Sequence, residues 1–548
     1  MTSVSVRKSL QWVLLAGLAA VSTGCPTTDI VCKPGTSRCG NGCVDAVRDR
    51  RNCGACGVAC ATGQVCEAGA CVCQEASTSC NGTCVVVAYD TANCGACGAA
   101  CAAGQVCEAG QCGAACTAGT SVRCGDSCID VTSDFANCGG CDQGCQTGQV
   151  CRAGTCTFDL VAACFSSGEV TGFRATTGQR GPAADVGNGP GSLASFGGRL
   201  LSADGVDRRL YQAALAPGDA TYRQLARFNR TGAVPNQVLV DEPFVYVVNA
   251  ESGTLQVLER NAALSGPDIG TLDAGAEGAL PLATVAELVL GMNTYPQAIA
   301  KLGTTLWVPL YGGFGAGAAQ AGQRIARISV ADPRAPVKVG EIDLATLDLK
   351  PFDGGVAAAR PWSVTTLGGA VYVALNNLEP STYQPAGPGL VARIDPATNA
   401  VSLIDLGADT CLNPQWIAPL GDGLAVSCGG QAEYTPSFSL AGTRHAGVVR
   451  LSAAGQVTAS WAPTCPAGSD LPDGGTTCPP MFPGRFAVLE GRLYLGDQNA
   501  GRIYVLDTAD GGLVELRGPL GSQGSAILAC TPSPVTGVAN VADVLALP

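Results

Sequence analysis

Between Cys32 and Cys156 the chain places 24 cysteines in three groups of eight, which limits what its first third can become more than any other feature. Cys32, Cys39, Cys43, Cys53, Cys56, Cys60, Cys66 and Cys71 recur 41 residues later, from Cys73 to Cys112, without exception. Cys116, Cys124, Cys128, Cys138, Cys141, Cys145, Cys151 and Cys156 keep the same gaps, with one residue more after the first. This is an internal repeat. Across it there is no Leu, Trp or Met, and only Tyr89 and Phe135 are aromatic. Units of this size and content bury too little apolar surface to offset chain entropy. Disulfides must substitute, each contributing about 2–4 kcal/mol by restricting the unfolded chain. Four bridges per unit are expected, with the pairing left open by the spacing.

Thirty-one cysteines suit an oxidising compartment and not a reducing one. Outside the repeats stand Cys164, Cys411, Cys428, Cys465, Cys478 and Cys530, an even set; Cys25 is left over. The amino terminus agrees with export: Arg7 and Lys8 precede an apolar stretch, Leu10 to Val21, too short to span a bilayer and reading as a signal peptide. The ending Thr23-Gly24-Cys25 resembles a bacterial lipoprotein processing site, although Ser22 stands where Leu is usual, with Val21 one place earlier. The resemblance implies acylation of Cys25, which also accounts for the odd thiol. The alternative is ordinary cleavage nearby, with Cys25 one more disulfide partner. Pro26, in place of Asp, resembles outer-membrane sorting, so the expected location is an outer membrane or cell surface.

The expected division is a signal peptide over 1–24, a linker over 25–31, cysteine-rich repeats over 32–72, 73–115 and 116–156, and a second domain over 158–548. Cys-x-x-Cys pairs at Cys53/Cys56, Cys94/Cys97 and Cys138/Cys141 invite a zinc reading. The even, dense cysteine sets and export favour oxidation instead. The recurring Asn-Cys-Gly-x-Cys at Asn52, Asn93 and Asn137, and Gly69, Gly110 and Gly154, read as turn positions that tolerate positive φ. With Gly-Gln-Val-Cys at Gly63–Cys66, Gly104–Cys107 and Gly148–Cys151, these residues resemble the cysteine-rich repeat of the stigma-specific family. That resemblance implies an extracellular module for interaction or spacing, and no chemistry.

After Cys156 cysteine becomes rare and a second repeat begins. Pro296-Gln-Ala-Ile-Ala-Lys-Leu-Gly-Thr-Thr-Leu-Trp-Val matches segments starting at Pro361, Pro414 and Pro483. Weaker copies start near Gly191, Pro235 and Gly524. Each gives a short strand, a Gly turn and an alternating strand, and the Pro483 copy continues through two further strands. Four strands joined by hairpins make a propeller blade. The copies predict an all-β chain: three small disulfide-rich modules followed by a seven-bladed β-propeller, with six or eight blades as the adjacent counts. Leu493–Asp507 and Gly168-Glu-Val-Thr-Gly-Phe resemble YVTN and NHL-type propeller repeats, which speak to architecture alone. Leu160–Thr177 and Ser525–Leu547 together would complete the last blade, with Cys164 bonded to Cys530 as a clasp.

Alternating strand directions put the connections after second and fourth strands on one face. Long insertions fall there: Tyr311–Gln323, Asn376–Gly389 and Gly429–Ala446 after second strands, and Ala262–Tyr295, Leu347–Arg360 and Trp461–Phe482 between blades. The opposite face is expected to carry short turns only. Cys411 and Cys428 lie on the long-loop face, and Cys465 with Cys478 closes one of its loops. Exposed loop aromatics are enriched at interfaces, which makes Tyr311, Phe314, Tyr383, Tyr434, Phe438 and Phe482 candidate contacts. The alternative is that they pack the loops together.

Catalysis finds little support. His445 is the only histidine and has no acid close in sequence. Asp353, Asp470 and Asp473 lack the oxygen spacing of a calcium loop. The first-strand positions Gln297, Trp362, Gln415 and Arg485 carry few acids for a Ca²⁺-dependent lactonase or lyase. No cofactor is expected, Ca²⁺ being the one candidate, and no catalytic residue. A net charge of −12 and the absence of a basic run exclude a nucleic-acid partner. The expectation is a lipid-anchored binding or scaffolding protein with a membrane contact through Cys25 and a protein or glycan ligand; a structural coat component is the third reading.

Overall fold

A computed structural model of the chain describes residues 37–39, 42–44, 46, 51–61, 64–67, 69–73, 77–117, 119–145, 148–214, 224–260, 282–313, 322–434, 440–463, 481–516, 527–530 and 539–547. Cys25, Cys32, Phe314, Phe438, Cys465, Asp470, Asp473 and Cys478 lie outside them.

The cysteine repeats fold as disulfide-tied hairpins with one connectivity. In the second module Cys73 joins Cys84, Cys80 joins Cys97, Cys94 joins Cys107 and Cys101 joins Cys112. The third repeats this with Cys116–Cys128, Cys124–Cys141, Cys138–Cys151 and Cys145–Cys156. The first shows Cys39–Cys56, Cys53–Cys66 and Cys60–Cys71. Loops of this length contribute about 3 kcal/mol each in the loop-entropy account. The sulfur triads close enough to hold a metal, such as Cys53, Cys60 and Cys71, are already committed to these bonds.

The repeated Asn and Gly have the roles their types allow. Oδ1 of Asn52, Asn93 and Asn137 accepts from the amides of Gly57, Gly98 and Asp142 at 2.8–2.9 Å. Gly95 at φ +79° packs against Gly110 at φ +77°, and a Cβ on Gly95 would lie 2.6 Å from the Gly110 carbonyl oxygen. The same backbone contact recurs at Gly54/Gly69 and Gly139/Gly154.

From residue 160 the described residues build seven blade sheets of four strands in antiparallel succession, the sixth carrying a fifth short strand, with a separate two-stranded hairpin at Gln431–Tyr434 and Leu440–Arg444. In chain order the first strands of six blades are Pro190–Phe196, Pro235–Asp241, Ala300–Leu302, Pro361–Leu367, Pro414–Leu420 and Pro483–Leu489. The seventh blade takes its first strand, Val541–Ala546, from the carboxyl end and the other three, Leu160–Cys164, Glu169–Phe173 and Arg180–Asp185, from before the first blade. A seven-membered ring needs seven apolar junctions, and the described residues of the propeller form seven buried clusters, one between each pair of neighbouring blades. Strand alternation feeds them: Leu160, Ala162 and Cys164 face the sixth blade, while Val161 and Ala163 face the first. Cys164–Cys530 closes the ring across a sequence separation of 366, as the sequence implied.

Two expectations are corrected. The last first strand does not start near Gly524: Ile527–Leu528 pairs with Arg502–Asp507 of the sixth blade instead. Residues 262–295 do not simply link two blades. Leu282–Val289 pairs with Thr254–Arg260 as a fourth strand, so 261–281 lies in sequence between strands three and four, and Arg260 and Leu282, which flank it, stand at the face predicted to hold only short turns. The same is true of the connection between Arg209–Ala214 and Gln224–Arg230. The turns between first and second strands are short as predicted, for example Gly368-Gly369 and Glu490-Gly491, with both φ values positive.

Candidate functional site at the channel mouth

Each first strand starts at the face where the connections after second and fourth strands emerge, so its opening residues ring the channel mouth. They enclose a cavity of about 210 Å³. Trp362, Trp416 and Phe165 supply its aromatic wall, and Asn236, Gln297, Gln415, Gln498 and Asn540 its amides.

Arg485 organises this mouth. Its guanidinium lies 4.5 Å from the Trp416 ring centre, donates through Nη1 to Asp543 Oδ2 at 3.1 Å, and reaches across the channel to the Asn236 carbonyl at 2.5 Å. The Asn236 amide in turn donates to Gln297 Oε1. Asp543 is buried, and burial pushes its carboxyl up while Arg485 opposes the shift.

A bulge after the opening residues of several first strands frees backbone N–H groups, and the neighbouring blade caps them. Asp543 accepts from Leu193 N at 2.8 Å, Ser192 Oγ from Val238 N at 3.2 Å, and Gln237 Oε1 from Ile299 N at 2.8 Å. Three successive junctions therefore share one side-chain-to-backbone staple.

Among the predicted contacts, Tyr311 is 4% exposed and packs the loops instead of presenting itself. Its ring meets Trp362 edge-on at 5.2 Å, and burial pushes its hydroxyl up to about 12. Between Tyr311 and the half-buried Tyr383 sits Arg360, fully buried, 5.0 and 5.2 Å from the two ring centres. Its Nη1 donates to the carbonyls of Tyr311, Gly312 and Gly313. Sequence reading missed this residue. Phe482 is half-buried, its amide donating to Asp497 Oδ1 at 3.2 Å. Tyr434 sits in a hairpin pairing Gln431–Tyr434 with Leu440–Arg444, which follows Cys428 and its buried bond to Cys411.

His445 Nδ1 donates to the Asp409 carbonyl oxygen at 2.9 Å, a structural role. Asp353 lies in an exposed turn, and Asp204 and Asp507 close hairpins by accepting from Val206 N and Ala509 N at 2.8 Å.

Residues 72–115, the second module, match the stigma-specific STIG1-like protein family. No curated protein matches this chain in sequence. Solved structures similar to it include a protein of Lactobacillus plantarum (15% identity over 74% of this chain and 100% of that one, TM-score 0.45). Others are a proposed 6-phosphogluconolactonase of Bacteroides fragilis (14%, 71% and 97%, 0.44) and AztD of Citrobacter koseri (14%, 71% and 98%, 0.39). At such scores the likeness carries no argument, and the blade count rests on the seven sheets and their seven junctions. The class is thus a seven-bladed propeller joined to oxidised cysteine-rich modules, the equipment of an exported protein.

Proposed function

We propose that this chain is an exported binding protein, held to a membrane by a lipid on Cys25, whose cysteine-rich modules carry the propeller with its long-loop face turned outward. One observation carries the reading: the third module meets the propeller at the opposite face. Arg152 donates to Asp159 at 2.6 Å and lies 3.8 Å from Glu490 in a first-to-second-strand turn. Gly148 abuts Arg180–Gly181 at the start of the seventh blade's outer strand, where a Cβ would fall 2.5 Å from the Gly181 nitrogen. A stalk attached there leaves the channel mouth and the loops that follow second and fourth strands free to meet a protein or glycan ligand. Binding fits the mouth better than catalysis. The one ion pair among its described residues, Arg485–Asp543, is internal, whereas a Ca²⁺-dependent lactonase or lyase draws several carboxylates onto one ion.

The test is fractionation of cells producing the wild type and Cys25→Ala. The wild type is expected in the membrane fraction, with its propeller open to added protease on intact cells, and the variant in the soluble exported fraction. A variant that stays with the membrane overturns the anchor. A protease-protected propeller overturns the outward display.

A further inference from the structure

We infer that the channel mouth takes an uncharged, hydroxyl-rich ligand: a single pyranose-sized saccharide group, free or at the end of a glycan. This rests on the binding-protein reading above and names its ligand class.

Charge is the first filter. Arg485 is stacked on Trp416, paired with Asp543 through Nη1 and bonded to the Asn236 carbonyl through Nη2, so each terminal nitrogen of its guanidinium already has an internal partner. Asp543 accepts from Leu193 N, Val544 N and Arg485 and is buried behind the wall. A charged ligand would leave water for a site whose one lining guanidinium already has an internal carboxylate partner, at a desolvation cost that only a paired charge recovers.

The remaining chemistry is amide and indole. A primary amide offers two donors and an acceptor oxygen, which complements neighbouring hydroxyls that both give and take hydrogen bonds. Gln415 and Asn236 bring such groups to a cavity shared with the Trp362 ring. An indole face suits a ring whose carbon-bound hydrogens form one apolar side. The cavity, at about 210 Å³, lies below the range of roughly 300 Å³ and upward that takes drug-sized molecules, which fits one sugar ring.

A peptide is the competing occupant, and the staples argue against it. An extended peptide gains its affinity by adding to exposed backbone N–H and C=O groups. At the bulges of the innermost strands the free amides of Leu193, Val238 and Ile299 are already capped by Asp543, Ser192 and Gln237. No open ladder is offered at those junctions.

The experiment is calorimetric titration of the full mature chain, with tryptophan emission as a second signal, against neutral hexoses, short neutral oligosaccharides, the matching uronic acids, and uncharged tripeptides. Neutral sugars are expected to bind and to shift the emission. Trp362→Ala and Gln415→Ala are each expected to weaken binding about tenfold, the scale of one lost ring contact or buried hydrogen bond. Trp362→Phe, which keeps a ring, is expected to retain most of the affinity, separating loss of contact from loss of fold. The uronic acids are expected to bind at least about tenfold more weakly than their neutral parents. The assignment is overturned by preference for the acids or the tripeptides, by neutral-sugar binding indifferent to the mouth variants, or by no sugar binding at all. None of those results touches the Cys25 fractionation, so the two claims fail separately.

Discussion

Replacing Cys164 and Cys530 together by alanine removes the covalent closure of the ring and leaves the pairing of Leu160–Cys164 with Val541–Ala546 in place. The bond spans 366 residues of sequence, whereas Cys411–Cys428 in the fifth blade spans 17. In the loop-entropy account the first stabilises by about 5.9 kcal/mol and the second by about 3.1 kcal/mol. All four cysteines are fully buried, so the packing lost with the sulfurs is similar in the two double variants and largely cancels between them. The comparison isolates about 2.7 kcal/mol. The propeller has roughly 390 residues, with an unfolding entropy of about 820 cal/mol/K. On that scale the clasp variant melts about 7 °C below wild type and about 3 °C below the Cys411→Ala/Cys428→Ala variant. Scanning calorimetry without reductant reads both. A clasp variant that melts at or above the fifth-blade variant refutes the reasoning, because it would mean the ring holds equally well without its longest cross-link.

Three further outcomes follow from single residues. Burial pushes Asp497 up to about 6, its Oδ1 accepting from Asn499 and Phe482 while its buried Oδ2 meets no partner among the described residues. A carboxyl raised in the fold stabilises while protonated, so stability falls by about 3 kcal/mol as pH rises from about 4 to about 6, and then levels. Asp497→Asn is expected to flatten that segment in urea melts at stepped pH; an unchanged slope contradicts it. Gly95→Ala adds a Cβ 2.6 Å from the Gly110 carbonyl oxygen at φ +79°, and is expected to cost more than the ~1 kcal/mol of the backbone alone and to leave labelable thiols in the second module. A fully oxidised variant would count against the packing described. Arg360→Met removes three hydrogen bonds to carbonyls and two ring contacts, and is expected to lower unfolding free energy by about 3 kcal/mol. A loss under about 1 kcal/mol would show that the loops hold without it.

Where the sequence was readable, local chemistry repeated. Pro361, Pro414 and Pro483 each open a first strand that turns back through a short Gly-containing hairpin, so a blade announces itself within about fifteen residues. The seventh blade lacks that signature because the partner of Val541–Ala546 is Leu160–Cys164, almost four hundred residues away, and no turn joins them. Leu282–Val289 was misplaced for a related reason: its third-strand partner ends at Arg260, before a long insertion. The mouth was half legible. Gln297, Trp362, Gln415 and Arg485 fall on the repeat's first-strand positions, yet the Arg485–Asp543 pair and the reach to Asn236 depend on ring closure. Arg360 gave no signal at all, because its cage comes from the connections that hold Tyr311 and Tyr383 on two different blades. Disulfide pairing was equally silent: eight cysteines at fixed gaps admit many hairpin pairings, and the Gly95–Gly110 contact that helps select one is between backbones.

Oxidised cysteine-rich modules and a closed ring define the chain. Non-reducing peptide mapping of the native protein tests both at once. It should recover Cys94–Cys107 and Cys101–Cys112, their counterparts in the third module, and Cys164–Cys530. Free thiols across residues 39–156, or zinc retained there in place of the bonds, would contradict it.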